Sequence, residues 1–487
     1  MTDSRTRFGR RRLLRLAAPA LALGLAGCGG RESTPTATST PTATATATPT
    51  AATTPTETST ETDTETPEGT PTDAELREAA LGFVEQLAAG EYEAAREVFA
   101  PSVAEQVSAA ALEGIWADLQ RANGAYVEVE GAERTTVQSF AAVVVTVQFA
   151  QARQGLRLVF DDEGRSVGFQ LVAPASAEWT PPSYVDRSAF EAREGSVHGP
   201  GNCALPGEVT VPADGGSAPP SFVLLGGSGP TDLNGTVGPN QPYRDLAYGL
   251  GTAGNASVRY TKRTAACEVD PARLTIDDEY TDDAVAAIEM LRSQDGTDPD
   301  RTVVVGHSLG AKLAPRVAAR TDGVAGVVML APPGRPLHEL LVEQTRYLVE
   351  LDGSVTAQEQ ARLNAVSAAA DRVDRLDIDD GEVVLGAGHA YWESLQAYDA
   401  FETARSLEVP VLVLHGGRDY QVTATDIDAW RDALAGEPNV RFETYADLNH
   451  LFLPGEGPAS PAEYQTEGHV DEQVVTDIDA WLEARWG

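Results

Sequence analysis

Positive charge is what this chain of 487 residues has least of: 36 Lys+Arg stand against 73 Asp+Glu, a formal net charge of −37. Lysine is almost missing, with only Lys262 and Lys312. Such an acidic excess argues against nucleic acid or an anionic membrane surface as a partner. Self-repulsion at this charge is costly in dilute buffer. In molar salt the Debye length falls to about 3 Å and most of that repulsion disappears, so the composition points to an extreme halophile. Long apolar runs are missing too, since none reaches the roughly 18 residues a membrane span needs. Cysteine is scarce, and no His/Cys/carboxylate cluster has metal-ligand spacing, so no metal or other cofactor is expected.

What is there begins with an export pattern. Arg10-Arg11-Arg12-Leu13-Leu14 is basic, Leu16–Ala26 is a short apolar stretch, and Leu25-Ala26-Gly27 sets small residues ahead of Cys28. Residues 1–27 resemble a twin-arginine signal peptide ending in a lipoprotein box. That resemblance implies export in the folded state and a lipid on Cys28. The chain would then sit on the outer face of the cytoplasmic membrane, touching it only through the anchor. Residues 28–72 are mostly Thr, Pro, Ala and Glu, with almost no large apolar side chain to offset the entropy of ordering. They read as a disordered linker that reaches about 120 Å if extended. Cys203 and Cys267 remain as two thiols outside the cell, a possible disulfide or two free cysteines.

Composition changes at Asp73. Ala74–Ala88, Tyr92–Val98 and Ala104–Ala122 space their apolar residues as helices, and Ala125–Val129, Val137–Phe149, Gly155–Phe160 and Gly168–Val172 read as strands. Helices followed by antiparallel strands predict a small α+β domain over residues 73–174. Its pattern, including Phe83-Val84 and Gly114-Ile115-Trp116, resembles a domain of unknown function that precedes exported hydrolases and has the cone-like fold of the nuclear transport factor type. Trp116 and Phe149 read as core rather than as the lining of a ligand pocket.

From residue 184 to 487 strands alternate with helices, which predicts an α/β fold: a mostly parallel sheet covered on both faces. Strands are expected at Phe190–Val197, Leu205–Val211, Ser221–Leu225, Val258–Tyr260, Thr302–Val305, Gly326–Leu330, Val409–Leu414 and Val440–Tyr445. In such sheets ligands sit at the carboxyl ends of the strands. There the run Thr302–Val305 leads into Gly306-His307-Ser308-Leu309-Gly310 and then a helical pattern. A serine between strand and helix is forced onto a sharp turn, and the flanking glycines remove the Cβ atoms that would collide. With 45 glycines in the chain, chance supplies about 0.2 such pentapeptides, so Ser308 needs partners before it counts as a nucleophile.

Two partners follow in order. Asp419 comes after the strand ending at Leu414, and His450 after the strand ending at Tyr445. The succession Ser308, Asp419, His450 at strand ends is that of a serine nucleophile with its base and the acid that orients the base. His415, His469, His389 and His307 lack that position. Gly226-Gly227-Ser228-Gly229-Pro230 after another strand allows close approach of the backbone. The N–H groups of Ser228 and Leu309 are the candidate donors to an oxyanion.

These segments, with VLLGGSGPTDLNG, YTKR, VVVGHSLGA and VLHGGRDYQV, resemble the α/β-hydrolase superfamily, and within it exported esterases near the dienelactone-hydrolase-like enzymes. The resemblance implies a serine hydrolase of small ester or acyl substrates. It carries Ser308, Asp419 and His450 over as the triad and Ser228 and Leu309 as oxyanion donors. Where the family often has His-Gly this chain has Gly226-Gly227, a departure that touches the loop's side-chain scaffolding and not its N–H donors. An insertion at about 336–400, helical over Leu337–Leu351, Val355–Leu376 and Ala390–Tyr398, reads as a lid or as packing on the body, with Tyr391 and Trp392 as candidate substrate contacts. Two alternatives stay open: a peptidase of small peptides on the same fold, and a non-catalytic surface binding lipoprotein. Oligomeric state is not legible.

Overall fold

The computed structural model describes residues 71–486 apart from 105–106, 138–139, 151, 162, 173–178, 202, 214–218 and 296. The expected signal peptide, Cys28 and nearly all of the linker lie outside the described residues.

The first domain opens with helix α1 (Asp73–Ala89), whose Leu76, Ala80, Phe83, Val84 and Leu87 recur at helical spacing and are buried. Thr72 and Glu75 close a capping box at its start, and Gly90 ends it at φ 78°. After short helical turns, α2 (Ala109–Asn123) begins where the Ser108 side chain accepts from Ala111 N–H. Then β1 (Tyr126–Val137), β2 (Phe140–Phe149), β3 (Arg153–Phe160) and β4 (Ser166–Val172) form an antiparallel meander. Val143, Val145, Val147 and Phe149 alternate onto the helix-facing side with Leu156, Leu158 and Phe160. The expected strand Val137–Phe149 is corrected to a hairpin in which Val137 pairs with Phe140. No Gly or Pro marks that turn, and the polar run Glu133–Thr136 hides the second half of β1. Trp116 and Phe149 are core residues, 5.6 Å apart by ring centroid.

In the second domain eight strands make one sheet in the order β12-β11-β10-β9-β7-β8-β6-β5. They are β5 (Phe190–His198), β6 (Ala204–Pro212), β7 (Ser221–Leu225), β8 (Ala256–Tyr260), β9 (Thr302–His307), β10 (Val324–Leu330), β11 (Val411–Gly416) and β12 (Val440–Tyr445). Strands β7 to β12 run parallel, and only β6 is reversed, antiparallel to β5 and β8. Alternate residues feed the two faces. Val223, Val304, Val327, Met329 and Val413 belong to one core, and Phe222, Val303, Val305, Val328 and Leu412 to the other. Helices α4 (Asp282–Arg292) and α5 (Leu309–Arg320) cover the first face, and α3 (Pro242–Thr252) and α11 (Glu472–Trp486) the second. Helices α6 (Leu337–Glu350), α7 (Ala357–Asp374), α8 (His389–Gln396) and α9 (Ala400–Arg405) fill the insertion between β10 and β11, and α10 (Ala424–Ala433) precedes β12. Among the described residues no helix is long and apolar enough to cross a membrane.

Candidate active site

The turn from β9 into α5 holds Ser308 at φ 54°, ψ −123°, a backbone state that few non-glycine residues adopt and that costs about 1–3 kcal/mol. The strain is held by neighbours. Ser308 N–H donates to Leu330 O at 2.8 Å, and a Cβ on Gly306 would run into Gly310 O, one on Gly310 into Gly226 O. Only glycine fits either place, so the pentapeptide reads as an elbow and not as a loose turn. Leu309 is the first residue of α5, where a backbone N–H has no intrahelical partner and the helix dipole is positive.

Asp419 and His450 come together from the loops after β11 and β12. His450 Nδ1 lies 2.7 Å from Asp419 Oδ2, and both side chains are buried. The other carboxylate oxygen, Oδ1, accepts from the N–H groups of Gln421 (2.8 Å) and Val422 (2.9 Å). A carboxylate can only accept, so it fixes the proton on Nδ1 and leaves the Nε2 lone pair of His450 to act as a base. The loops meet closely because Gly417 has no side chain: a Cβ there would lie 2.8 Å from Ala446 O.

The four histidines set aside above sort by contact. His307 lies against His450, ring centroids 4.7 Å apart, and is held below the ordinary imidazole range, at about 3, by burial and by the neighbouring His450. It is therefore neutral, with one donor. Its Nε2 is 2.9 Å from His450 O, which can only accept, so Nε2 carries the proton and Nδ1 accepts from Tyr243 Oη at 3.0 Å. Tyr243 Oη in turn accepts from Gly227 N–H at 2.9 Å. A directed chain of hydrogen bonds thus joins the glycine-rich loop to the backbone of His450. His415 is tied to Val422 O, His469 to Asp245, where Trp179 also donates, and His389 is half-buried beside Glu393.

Residues matching a family model described as "Serine aminopeptidase, S33" span 242–457, and residues 80–169 match one described as a protein of unknown function (DUF3887). Esterase EstD of Thermotoga maritima is 37% identical over 401 residues, covering 82% of this chain and 93% of that protein. The chain belongs to this esterase family of α/β-hydrolases. Among solved structures, an esterase of Pyrococcus furiosus is 16% identical at a TM-score of 0.40, covering 66% of this chain and 100% of that one. Est1E of Butyrivibrio proteoclasticus is 15% identical at 0.38 (60% and 99%), and dipeptidyl peptidase 4 of Porphyromonas gingivalis 13% identical at 0.41 (72% and 43%).

In this α/β-hydrolase an apolar cavity of about 110 Å³ lies at the start of α5, lined by Leu309 of the elbow and not by Ser308, Asp419 or His450. Ser228 and Leu309 line it together with Leu274, Leu337, Leu341 and Leu385. Tyr391 and Trp392, the expected contacts, are also on its wall, and the polar atom of each is hydrogen-bonded within the protein. Tyr391 Oη donates to Glu279 Oε2 at 2.7 Å and Trp392 Nε1 to Val384 O at 2.9 Å. The insertion is packed on the body as well as roofing the cavity: Tyr347 stacks on Tyr420 at 4.8 Å, beside Asp419, and Gln344 Nε2 donates to Gln421 O. Cys203 and Cys267 are bridged, with Cα atoms 6.1 Å apart, which ties the segment bearing the cavity residues Thr264 and Val269 to the start of β6.

Four residues of this hydrolase site escaped the sequence reading: Tyr243, Lys262, Glu279 and Tyr280. Glu279 and Tyr280 come from a π-helical turn, Asp277–Thr281, ahead of α4. Lys262 is 3% exposed and its Nζ lies 2.9 Å from Glu279 Oε1. Burial pulls its ammonium below the usual lysine value while Glu279 opposes the shift. Scarcity was the available signal. Neither of the two lysines is exposed: Lys312 donates to Arg335 O at 2.9 Å and burial lowers it to about 8.

Proposed function

We propose that this serine hydrolase cleaves carboxylic esters of compact apolar acyl groups, with Ser308 as nucleophile, His450 as base and Asp419 as its orienting acid. His450 Nε2 takes the hydroxyl proton as Ser308 Oγ attacks the carbonyl carbon, and Asp419 stabilises the imidazolium. The N–H groups of Ser228 and Leu309 receive the oxyanion. His450 then protonates the leaving alcohol, and water releases the acyl group by the same steps in reverse order. The observation that carries this reading is the 2.7 Å contact between His450 Nδ1 and Asp419 on the loops after β11 and β12, in a sheet whose β9 ends in a serine held at φ 54°.

The cavity supports an acyl substrate. Its volume of about 110 Å³ is somewhat below the roughly 150 Å³ that admits benzene, room for an acyl chain of about four carbons. An aminopeptidase reading is less well supported. Binding a substrate ammonium needs an uncompensated carboxylate, and the carboxylate on the cavity wall, Glu279, is already met by Lys262, Thr264 and Tyr391. We further propose that Cys28 is the lipid-bearing anchor and that catalysis takes place outside the cell, on the Thr/Pro-rich linker.

Ser308→Ala is expected to lower hydrolysis of nitrophenyl butyrate in molar salt by about 10⁴-fold or more, and a fluorophosphonate probe to label the wild type but not the variant. Unchanged turnover in the variant, or a folded wild type that neither labels nor turns over, overturns the assignment. An acyl-peptide panel run in parallel is expected to show far slower amide cleavage.

A further inference from the structure

We propose that Lys262 is a positioning residue for transition-state stabilisation: it aims the Ser228 N–H at the oxyanion by holding the carbonyls on either side of it. The proposal rests on the hydrolase reading above. Lys262 follows β8, and its Nζ lies 2.9 Å from Gly227 O, 2.9 Å from Gly229 O and 2.8 Å from Tyr280 Oη. Tyr280 Oη itself donates to Gly227 O at 2.6 Å, so that oxygen is gripped twice. In a trans peptide the C=O and the following N–H point in opposite directions. Gripping Gly227 O on the protein side therefore turns Ser228 N–H the other way, toward the cavity that Ser228 lines. The loop presses on the nucleophile at this point, for a Cβ on Gly227 would lie 3.3 Å from Ser308 Cβ. Gly227 N–H is spent on Tyr243, and residue 230 is proline. Gly227 and residue 230 are thereby out of the loop's set of oxyanion donors, and Ser228 N–H is the one whose own peptide Lys262 grips.

Charge adds to geometry. An ammonium on the carbonyl oxygen polarises the Gly227–Ser228 peptide and makes its N–H a stronger donor. Held in place before the reaction, that donor needs no reorganisation when negative charge develops. The site also gives a reason for one of the two lysines in a chain whose basic residues are otherwise nearly all arginine. Its acceptors, two carbonyls, a phenol and a carboxylate, surround one nitrogen, which suits a compact ammonium and not a planar guanidinium. The lysine stem and Tyr243 fill the space a side chain at Gly226 would take, at 3.5 and 3.3 Å from its Cβ position. Scaffolding for the loop thus comes from β8 and the turn before α4 rather than from the loop itself.

The test compares the full-length wild type with Lys262→Met/Glu279→Gln, a pair chosen so that no buried charge loses its partner, and with Tyr280→Phe. Substrate is nitrophenyl butyrate, and the probe for oxyanion binding is a butyryl trifluoromethyl ketone, which forms a tetrahedral oxyanion adduct on serine. For the double variant kcat is expected to fall about 10- to 100-fold with KM within about threefold, and ketone affinity to fall by the same factor as kcat. Tyr280→Phe, which keeps the charge and loosens Gly227 O, is expected to lose about three- to tenfold in kcat, and it decides the matter if the double variant does not fold. Folded variants whose kcat and ketone affinity stay within twofold of wild type overturn the proposal. A wild type without Ser308-dependent turnover overturns the hydrolase reading instead.

Discussion

Acidification offers a way to weigh the hydrogen-bond chain behind the nucleophile. His307 is buried and held neutral down to about pH 3, whereas an imidazole in the unfolded chain takes its proton near 6.5. Between those values the unfolded chain binds a proton that the folded one refuses. Stability therefore rises with pH across the window and is lost as pH falls from 6.5 toward 3. The linkage relation gives a cost from this one residue of about 2 kcal/mol at pH 5, against about 0.2 kcal/mol at pH 7. His307→Gln removes the titration and keeps an amide donor for His450 O and an acceptor for Tyr243. Urea unfolding in molar salt, followed by tryptophan fluorescence, reports chiefly on the second domain, because of the six tryptophans only Trp116 lies in the first. Wild type is expected to lose about 2 kcal/mol more than the variant between pH 7 and pH 5. Equal losses would refute both the neutral state of His307 and the direction assigned to its hydrogen bonds.

Two further outcomes follow from sulfur. Cys203→Ser/Cys267→Ser opens a bridge between residues 64 apart, which by loop-closure entropy costs about 4 kcal/mol; a lowered thermal midpoint and a raised KM for nitrophenyl butyrate are expected, and an unchanged midpoint would contradict this. Cys28→Ser is expected to move Ser308-dependent esterase activity from the membrane fraction to the medium, and activity that stays with membranes would remove the anchor.

Much of the candidate site was legible because its motifs are local. Ser308 announced itself through two glycines whose Cβ atoms have no room, and Asp419 and His450 through their places after strands. What was not legible is the support. Tyr243 belongs to a helix, Lys262 to the end of β8 and Tyr280 to a π-helical turn, and nothing in their spacing says that all three converge on Gly227. His307 was set aside with the histidines that lack the place of His450, yet it links Tyr243, which holds the glycine-rich loop, to the backbone of His450. The hairpin between β1 and β2 was missed for a plainer reason: a turn without Gly or Pro gives no punctuation.

The sequence by itself determined the alternation of strands and helices, the sharp turn at Ser308, and the order in which Asp419 and His450 follow it at strand ends, because each depends on short-range sterics or on period-two burial. Tertiary structure alone decided which groups hold the glycine-rich loop, that the cysteines lie within bonding distance, and how large the cavity at the start of α5 is. Those depend on contacts between residues far apart along the chain, such as Lys262 with Gly227 and Tyr391 with Glu279, and a linear pattern carries no record of distance. The scarcity of lysine joins the two levels. In the sequence it is a matter of composition, and in the fold one of the two lysines stands directly behind the peptide proposed to meet the transition state.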